Sequence, residues 1–337
     1  MNSIFSLFRL QPREGSPGRS RIFIYLALAV IALLLSYQLV LNHGSLESVS
    51  PWGKTSVGGA KQDVAEPPTY SWRISRTPEK ELVVAAMRDS DMAWVAENVP
   101  DWTTTIYRAD ADKSEYNFTV PRNKGNEAMV YLTYLIDRYD SLPEVMVLMH
   151  GGRYQWHNDN PLYDSVVTLK DLQIDHVKRT GYVNLRCVWA IGCPSELEPG
   201  RYFRERPDDP AHPTAVEYPD RFLELFPDEE LPEVVGVPCC SQFAVSREAV
   251  RARPKADYER CRQWLLDVDL DNATSGRIFE YAWHIMFGKT AELCLDVVTC
   301  YCETYGYCDM EPIELQNHWV WRGMVLPPNW PESEEQS

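Results

Sequence analysis

Between residues 81 and 310 the apolar positions fall into short runs of strand length, interrupted by segments with helical spacing. Leu82–Ala86 is a continuous apolar run, the pattern of a strand covered on both faces. Ala93-Trp94-Val95 begins a helix, and Thr103–Tyr107 has the β-branched bias of a second strand. Ala128, Tyr131, Leu132, Leu135, Ile136 and Tyr139 recur at i, i+3, i+4 spacing and predict a helix capped by Asn123 or Asn126. Ser141-Leu142-Pro143 ends it and leads into Val145–Met149, another buried strand. Ser165–Leu172 reads as a short helix and Gly181–Trp189 as strand-like. Glu196–Glu233 is rich in Pro and charge and reads as a long surface excursion. Cys239–Ser246 returns as a buried strand, and Arg247–Leu266 is partly helical, with Tyr258, Cys261, Trp264 and Leu265 inward. Strand, strand, helix, strand implies a single α/β domain with a mostly parallel mixed sheet flanked by helices.

Upstream the pattern changes. Ile22–Leu41 holds no charged residue, and at ~1.5 Å rise per residue a helix of that length spans the ~30 Å hydrocarbon core. Arg9, Arg13, Arg19 and Arg21 precede it against Glu14, which predicts a cytosolic tail over 1–21, a signal anchor over 22–41 and a lumen-facing remainder. A cleaved signal peptide would have a shorter apolar region, about 7–15 residues, and a small-residue cleavage site. Residues 42–80 are rich in Gly, Ser, Pro and Lys and read as a flexible stem. The globular domain is expected over 81–310, with a C-terminal tail over 311–337. This is the layout of a single-pass membrane protein of the Golgi or endoplasmic reticulum.

Cysteine usage agrees with an oxidising lumen. All nine Cys lie at or beyond Cys187, so disulfides are expected, and the odd number leaves at least one free or paired between chains. A zinc site from Cys300, Cys302, Cys308 and His318 is the rival reading, although its spacing fits no standard finger. Asn117 and Asn272 head glycosylation sequons. With 45% apolar residues a core can form, and the net charge of −16 argues against a nucleic-acid partner.

Candidate chemistry concentrates in two stretches. Val145–Asp159 is a strand that breaks at Gly151-Gly152 into a loop carrying His150, Arg153, Tyr154, Gln155, Trp156, His157, Asn158 and Asp159. A strand ending in a polar, Gly-led loop is the geometry of a ligand site at the carboxyl end of an α/β sheet. The alternative is a solvated loop whose Trp and Tyr plug the domain edge. Ser275–Gly288 reads as one helix with an apolar stripe, an aromatic flank and Arg277, Glu280 and His284 on a third face. Glu280 is then either a general base tuned by Arg277 and burial, or half of a structural ion pair with His284 as a core histidine. Lys124-Gly125-Asn126, at a helix amino end, is a candidate phosphate contact or an ordinary cap.

The strings Tyr107–Asp159, Gly181–Pro194, Cys239–Pro254 and Ser275–Gly288 resemble a family of fungal proteins grouped as domain of unknown function 3431. The resemblance runs from about Leu82 to Cys308 and implies no activity. Family members usually carry His at the position of Gly152 and an acidic residue at that of Arg88, which weakens a catalytic role for either position. The chain is also similar to nucleotide-sugar glycosyltransferases of the GT-A fold. Those have a first strand like Leu82–Ala86, a later strand ending in an acidic, metal-binding motif, and a late helix supplying an acidic residue to the acceptor. That resemblance implies Mn²⁺ or Mg²⁺ on Asp159 with His157, since hard cations prefer oxygen ligands. Lys124, Arg153, Tyr154, Trp156 and Asn158 would contact a nucleotide-sugar, and Glu280, with Arg277 and His284, would act on a glycan or small-molecule acceptor. No clean DxD follows the strand, and Asp267-Val268-Asp269 reads as a turn. Two other classes are consistent with the residues: a metal-dependent hydrolase using His150, His157, Asp159 and His284, and a non-catalytic luminal protein that grips a glycan or a partner.

Overall fold

The computed structural model describes residues 77–199 and 212–309. The cytosolic tail at 1–21, the anchor at 22–41, most of the stem and all of the C-terminal tail at 311–337 lie outside the described residues. Among the described residues no helix is long and apolar enough to cross a membrane.

The elements follow in order as β1 (Lys80–Ala86), α1 (Ala93–Asn98), β2 (Thr103–Arg108), α2 (Ala128–Arg138), β3 (Val145–His150), α3 (Ser165–Asp171), α4 (Ile174–Thr180), β4 (Tyr182–Asn184), α5 (Pro213–Leu225), β5 (Phe243–Ser246), α6 (Arg247–Arg251), α7 (Lys255–Asp267), α8 (Asn272–Glu280), α9 (Trp283–Met286) and α10 (Val297–Tyr305). The strands form a five-stranded sheet in the order β2-β1-β3-β5-β4. β1 pairs in parallel with β2 and β3, and β5 runs antiparallel to both β3 and β4. The sheet is therefore mixed, with β5 alone reversed, as a mixed α/β reading requires.

Both faces of the sheet are covered, which is why its central strands β1 and β3 read as nearly unbroken apolar runs. Val83, Met146, Leu148, Phe243 and Val245 pack on one side against α2, α5 and α7–α9. Leu82, Val84, Val145, Val147, Met149 and Ala244 pack on the other against α1, α3, α4 and α10. The alternation is the period of two of a pleated strand. Glu81, fully buried on β1, accepts hydrogen bonds from Thr105 Oγ1 at 2.6 Å and Tyr134 OH at 3.0 Å.

Several expectations need correction. The strand expected over Gly181–Trp189 shortens to Tyr182–Asn184, and that over Cys239–Ser246 begins at Phe243. The excursion at Glu196–Glu233 contains α5, whose Tyr218, Phe222 and Leu225 are core residues. Prolines in its sequence mask this periodicity: Pro213 starts the helix and Pro219 sits within it. Neither Asn123 nor Asn126 caps α2; Glu127 occupies that place and makes no side-chain cap bond. The helix expected over Ser275–Gly288 breaks at Tyr281-Ala282 into α8 and α9.

Four disulfides join Cys187 to Cys300, Cys193 to Cys294, Cys239 to Cys240 and Cys302 to Cys308, and Cys261 is a buried free thiol. The zinc reading fails on this pairing, because Cys300, Cys302 and Cys308 are all committed to disulfides.

Candidate functional site

The site follows from strand parity. His150 lies two residues beyond Leu148, so it projects from the carboxyl end of β3 onto the face that α2 and α8 cover. Reversal of β5 brings its entry turn, Cys239–Gln242, to that same end of the sheet. Gln242 Oε1 accepts a hydrogen bond from the His150 backbone at 3.1 Å, and Gln242 Nε2 donates to Asn158 Oδ1 at 3.1 Å. The first residue of α2's entry, Glu127, and the last of α8, Glu280, complete the wall.

These groups enclose a cavity of about 770 Å³, lined among others by Glu127, His150, Trp156, His157, Arg277 and Glu280. That is within the size range of pockets that bury a small-molecule ligand. The two stretches singled out in the sequence thus converge on one space.

Close approach of α8 to the amino end of α2 depends on Gly276. A Cβ there would sit 2.9 Å from Asn126 Nδ2 and 3.1 Å from Gly125 O. Asn272 Oδ1 accepts from Gly125 N at 3.2 Å, and Lys124 Nζ donates to Val268 O. Lys124 is therefore a buried tie between the α2 entry and the α7–α8 turn and does not line the cavity.

The electrostatics are unusual for a wall of side chains. Burial pushes the Glu280 carboxyl up to about 7, against the Cys240 backbone N–H that it accepts; Glu127 adds to the rise. His150 Nε2 faces Glu127 Oε2 at 3.5 Å. Burial alone would lower His150, but the carboxylates of Glu127 and Glu280 outweigh it and hold the imidazole above its ordinary value. His157 has its Nδ1 2.9 Å from His150 Nδ1, and burial, then the charges of His150 and Arg186, push it down to about 2. A cation-prone His150 thus lies between two carboxylates and a neutral His157.

The other expected residues lie outside the cavity. Asp159 is buried, and its Oδ2 accepts from the backbone N–H groups of Cys187 at 2.6 Å and Val188 at 3.0 Å. Asn158 Nδ2 donates to Tyr163 O at 2.8 Å and Ser165 Oγ at 2.9 Å, holding the loop's shape. Arg153 pairs with Asp164 at 3.0 Å and lies over the Tyr154 ring, 4.8 Å from its centroid. His284 is fully buried, is pushed down by burial to about 4, and meets Ala291 O at 2.9 Å. The break at Tyr281-Ala282 shifts the helical phase, so His284 does not share the face of Arg277 and Glu280. Glu280 forms no ion pair with Arg277 among the described residues.

Glu127 and the Cys239-Cys240 pair went unread in the sequence. Glu127 is one residue past the Lys124-Gly125-Asn126 turn, a position that only tertiary packing joins to His150. The Cys-Cys dipeptide was a visible signal, because adjacent cysteines between strand-forming segments are rare enough to mark a constrained turn. Among the described residues the cluster with ligand-like spacing is Cys239, Cys240 and Glu280, its two sulfurs joined in the disulfide.

The sequence profile described as "Protein of unknown function (DUF3431)" matches residues 82–303, about two thirds of the chain, and the protein belongs to that family. No curated protein and no solved structure matches it significantly.

Proposed function

We propose that this member of the DUF3431 family transfers a sugar from a nucleotide-sugar donor to an acceptor hydroxyl in the cavity between the β3 loop and α8. The observation that carries the reading is Glu280. Its carboxylate lies in the wall of a large cavity at the carboxyl end of the parallel strands, with burial tuning it to about 7. That is the range in which a carboxylate both accepts a proton and is ionised at working pH.

Glu280 takes the proton of the acceptor hydroxyl as its oxygen attacks the anomeric carbon. The bond from that carbon to the donor diphosphate breaks, and its electron pair leaves with the diphosphate, with inversion. His150, whose proton affinity Glu127 and Glu280 raise, supplies positive charge toward the leaving group when protonated, together with Arg277. Trp156 lines the same cavity and supplies aromatic surface to a sugar or base.

The metal implied by the GT-A likeness was expected on Asp159 with His157. Asp159 is held by two backbone amides away from the cavity, and His157 Nδ1 is turned to His150, so those two residues do not fit the ion together. The proposed transfer has no step through it. The four-residue hydrolase set is disfavoured in the same way, since Asp159 and His284 are bonded elsewhere. The disulfides support a luminal setting, with residues 22–41 as the proposed membrane anchor.

The test is a panel of UDP- and GDP-sugars offered to the purified full-length chain, reading donor binding and donor consumption. Glu280→Gln should retain donor binding while turnover drops roughly 10²–10⁴-fold, the usual worth of a general base. Absence of any nucleotide-sugar binding, or wild-type turnover in the variant, would overturn the proposal.

A further inference from the structure

Met87, Tyr116 and Phe118 are 46%, 37% and 43% exposed, and Arg108, at the end of β2, gathers them. Its Nη1 donates to Met87 O at 2.6 Å, and its guanidinium lies 5.6 Å from the centre of the Tyr116 ring. Its backbone N–H donates to Phe118 O at 2.9 Å. Thr119 adds a parallel bridge to Arg108, so this stretch runs beside the end of β2, an edge strand of the sheet. An apolar patch at a sheet edge is either covered by something or a liability to association.

The chain carries the means of a cover within the patch. Asn117 stands between Tyr116 and Phe118 and heads the sequon Asn117-Phe118-Thr119. It is exposed, and its side-chain amide makes no hydrogen bond among the described residues. The second sequon is built differently. Asn272 Oδ1 accepts from Gly125 N at 3.2 Å, and no exposed large hydrophobic residue lies next to it in sequence. A sugar ring has C–H groups on its faces, which pack on aromatic rings, and hydroxyls around its edge, which stay hydrated. A glycan at Asn117 therefore has apolar surface within reach on both sides, and a glycan at Asn272 does not.

We infer that Asn117 is N-glycosylated and that the first sugars of the glycan lie over Met87, Tyr116 and Phe118. The inference rests on the luminal setting proposed above and is independent of the transferase reading. In the modification, Asn117 Nδ2 attacks the anomeric carbon of an oligosaccharide carried on a lipid diphosphate, a reaction catalysed by the transferase of the secretory pathway. The C–N bond forms, the C–O bond to the diphosphate breaks with its electron pair, and Nδ2 gives up one proton. The attached glycan is bulky and hydrophilic, so it hides the patch and keeps other chains from the edge at β2.

The experiment compares the full-length chain, made in eukaryotic cells and purified with its glycans, with the Asn117→Gln variant. Peptide mass spectrometry reads occupancy of Asn117. Hydroxyl-radical footprinting reads oxidation of Met87, Tyr116 and Phe118, with Leu162 in the β3 loop and Leu223 on α5 as exposed references. Asn117 should carry the glycan, and the three residues should be protected in the glycoprotein and lose that protection in Asn117→Gln. Leu162 and Leu223 should oxidise equally in both. Enzymatic removal of the glycan from the folded wild type gives the same comparison where the variant fails to fold. Oxidation of the three residues that is the same with and without the glycan overturns the inference. A bare Asn117 in a chain whose Cys187–Cys300 and Cys193–Cys294 disulfides have formed also overturns it, and leaves the luminal setting intact. A bare Asn117 in a chain with all its cysteines reduced overturns both.

Discussion

The Nδ1 atoms of His150 and His157 lie 2.9 Å apart, so one hydrogen occupies the space between them and one ring must accept it. Burial and the neighbouring charges of His150 and Arg186 keep a second proton off His157, so a protonated His150 donates from Nδ1 and His157 accepts. His150 Nε2 then presents its other hydrogen toward Glu127. ¹⁵N NMR through a pH titration checks this: His157 should stay neutral down to about pH 2, while His150 titrates above the ordinary histidine range. A His157 midpoint near 6.5 would reverse the donor and acceptor roles.

Glu280→Gln should yield a folded protein that gains stability in alkaline solution. The carboxyl is raised from 4.5 to about 7 in the fold, so the native state binds the proton more tightly than the unfolded chain. The stability contributed by the protonated carboxyl is therefore full below pH 4.5 and is lost as pH rises toward about 7. Replacing it with an amide removes that loss, on the order of 3 kcal/mol above neutrality, and the amide oxygen still accepts from Cys240 N–H. Urea melts at pH 5 and pH 8 measure the difference. A variant less stable than wild type at pH 8 would point to an ion-paired carboxylate instead.

Turnover should follow a bell in pH. The rising limb, near pH 7, is ionisation of Glu280 to its basic form. The falling limb is loss of the His150 proton, whose midpoint lies above the ordinary value because of Glu127 and Glu280. In Glu127→Gln the falling limb should move to lower pH, because the nearest carboxylate supporting the imidazolium is gone. A falling limb that stays in place would remove His150 from the charge balance.

Asp159→Ala should destabilise the fold by about 2–4 kcal/mol, since it leaves the buried amides of Cys187 and Val188 without their acceptor. Ligand binding in the cavity should survive wherever the protein remains folded. Chemical denaturation with ligand binding in parallel separates the two. A neutral effect on stability, with binding lost, would restore Asp159 to the site.

Gly276→Val should separate α8 from the α2 entry. Even a Cβ meets Asn126 Nδ2 at 2.9 Å, and a branched side chain adds to the overlap, costing about 1–3 kcal/mol. Because Glu280 rides on α8, turnover should fall further than stability. Thermal melts and turnover rates at matched folded fractions test the point, and an unimpaired variant would show that the approach is adjustable.

The sequence alone determined the first three strands of the sheet and the two chemical stretches. Leu82–Ala86 and Val145–Met149 are β1 and β3 nearly to the residue, because a strand buried on both faces must be apolar throughout, and Thr103–Tyr107 is the edge strand β2, legible from its β-branched residues. The helix over Ala128–Arg138 was legible from its spacing for the same kind of reason. The candidate wall at His150, Trp156, His157, Arg277 and Glu280 was legible too, as polar residues packed into apolar surroundings. Tertiary structure decided which of those polar residues face each other. Asn158 and Asp159 looked like ligands, but Asn158 holds its own loop through Tyr163 O and Ser165 Oγ, and Asp159 accepts from the distant Cys187 and Val188 amides, because buried backbone groups need partners. His284 left the face of Glu280 when the helix broke at Tyr281-Ala282, a phase change that no periodicity could announce. Glu127 and the Cys239–Cys240 bridge reached the cavity of His150 across 23 and 89 residues of sequence, through parallel crossover and the reversal of β5. Periodicity reports which side of an element is buried, whereas a site is a meeting of elements, and only packing fixes that meeting.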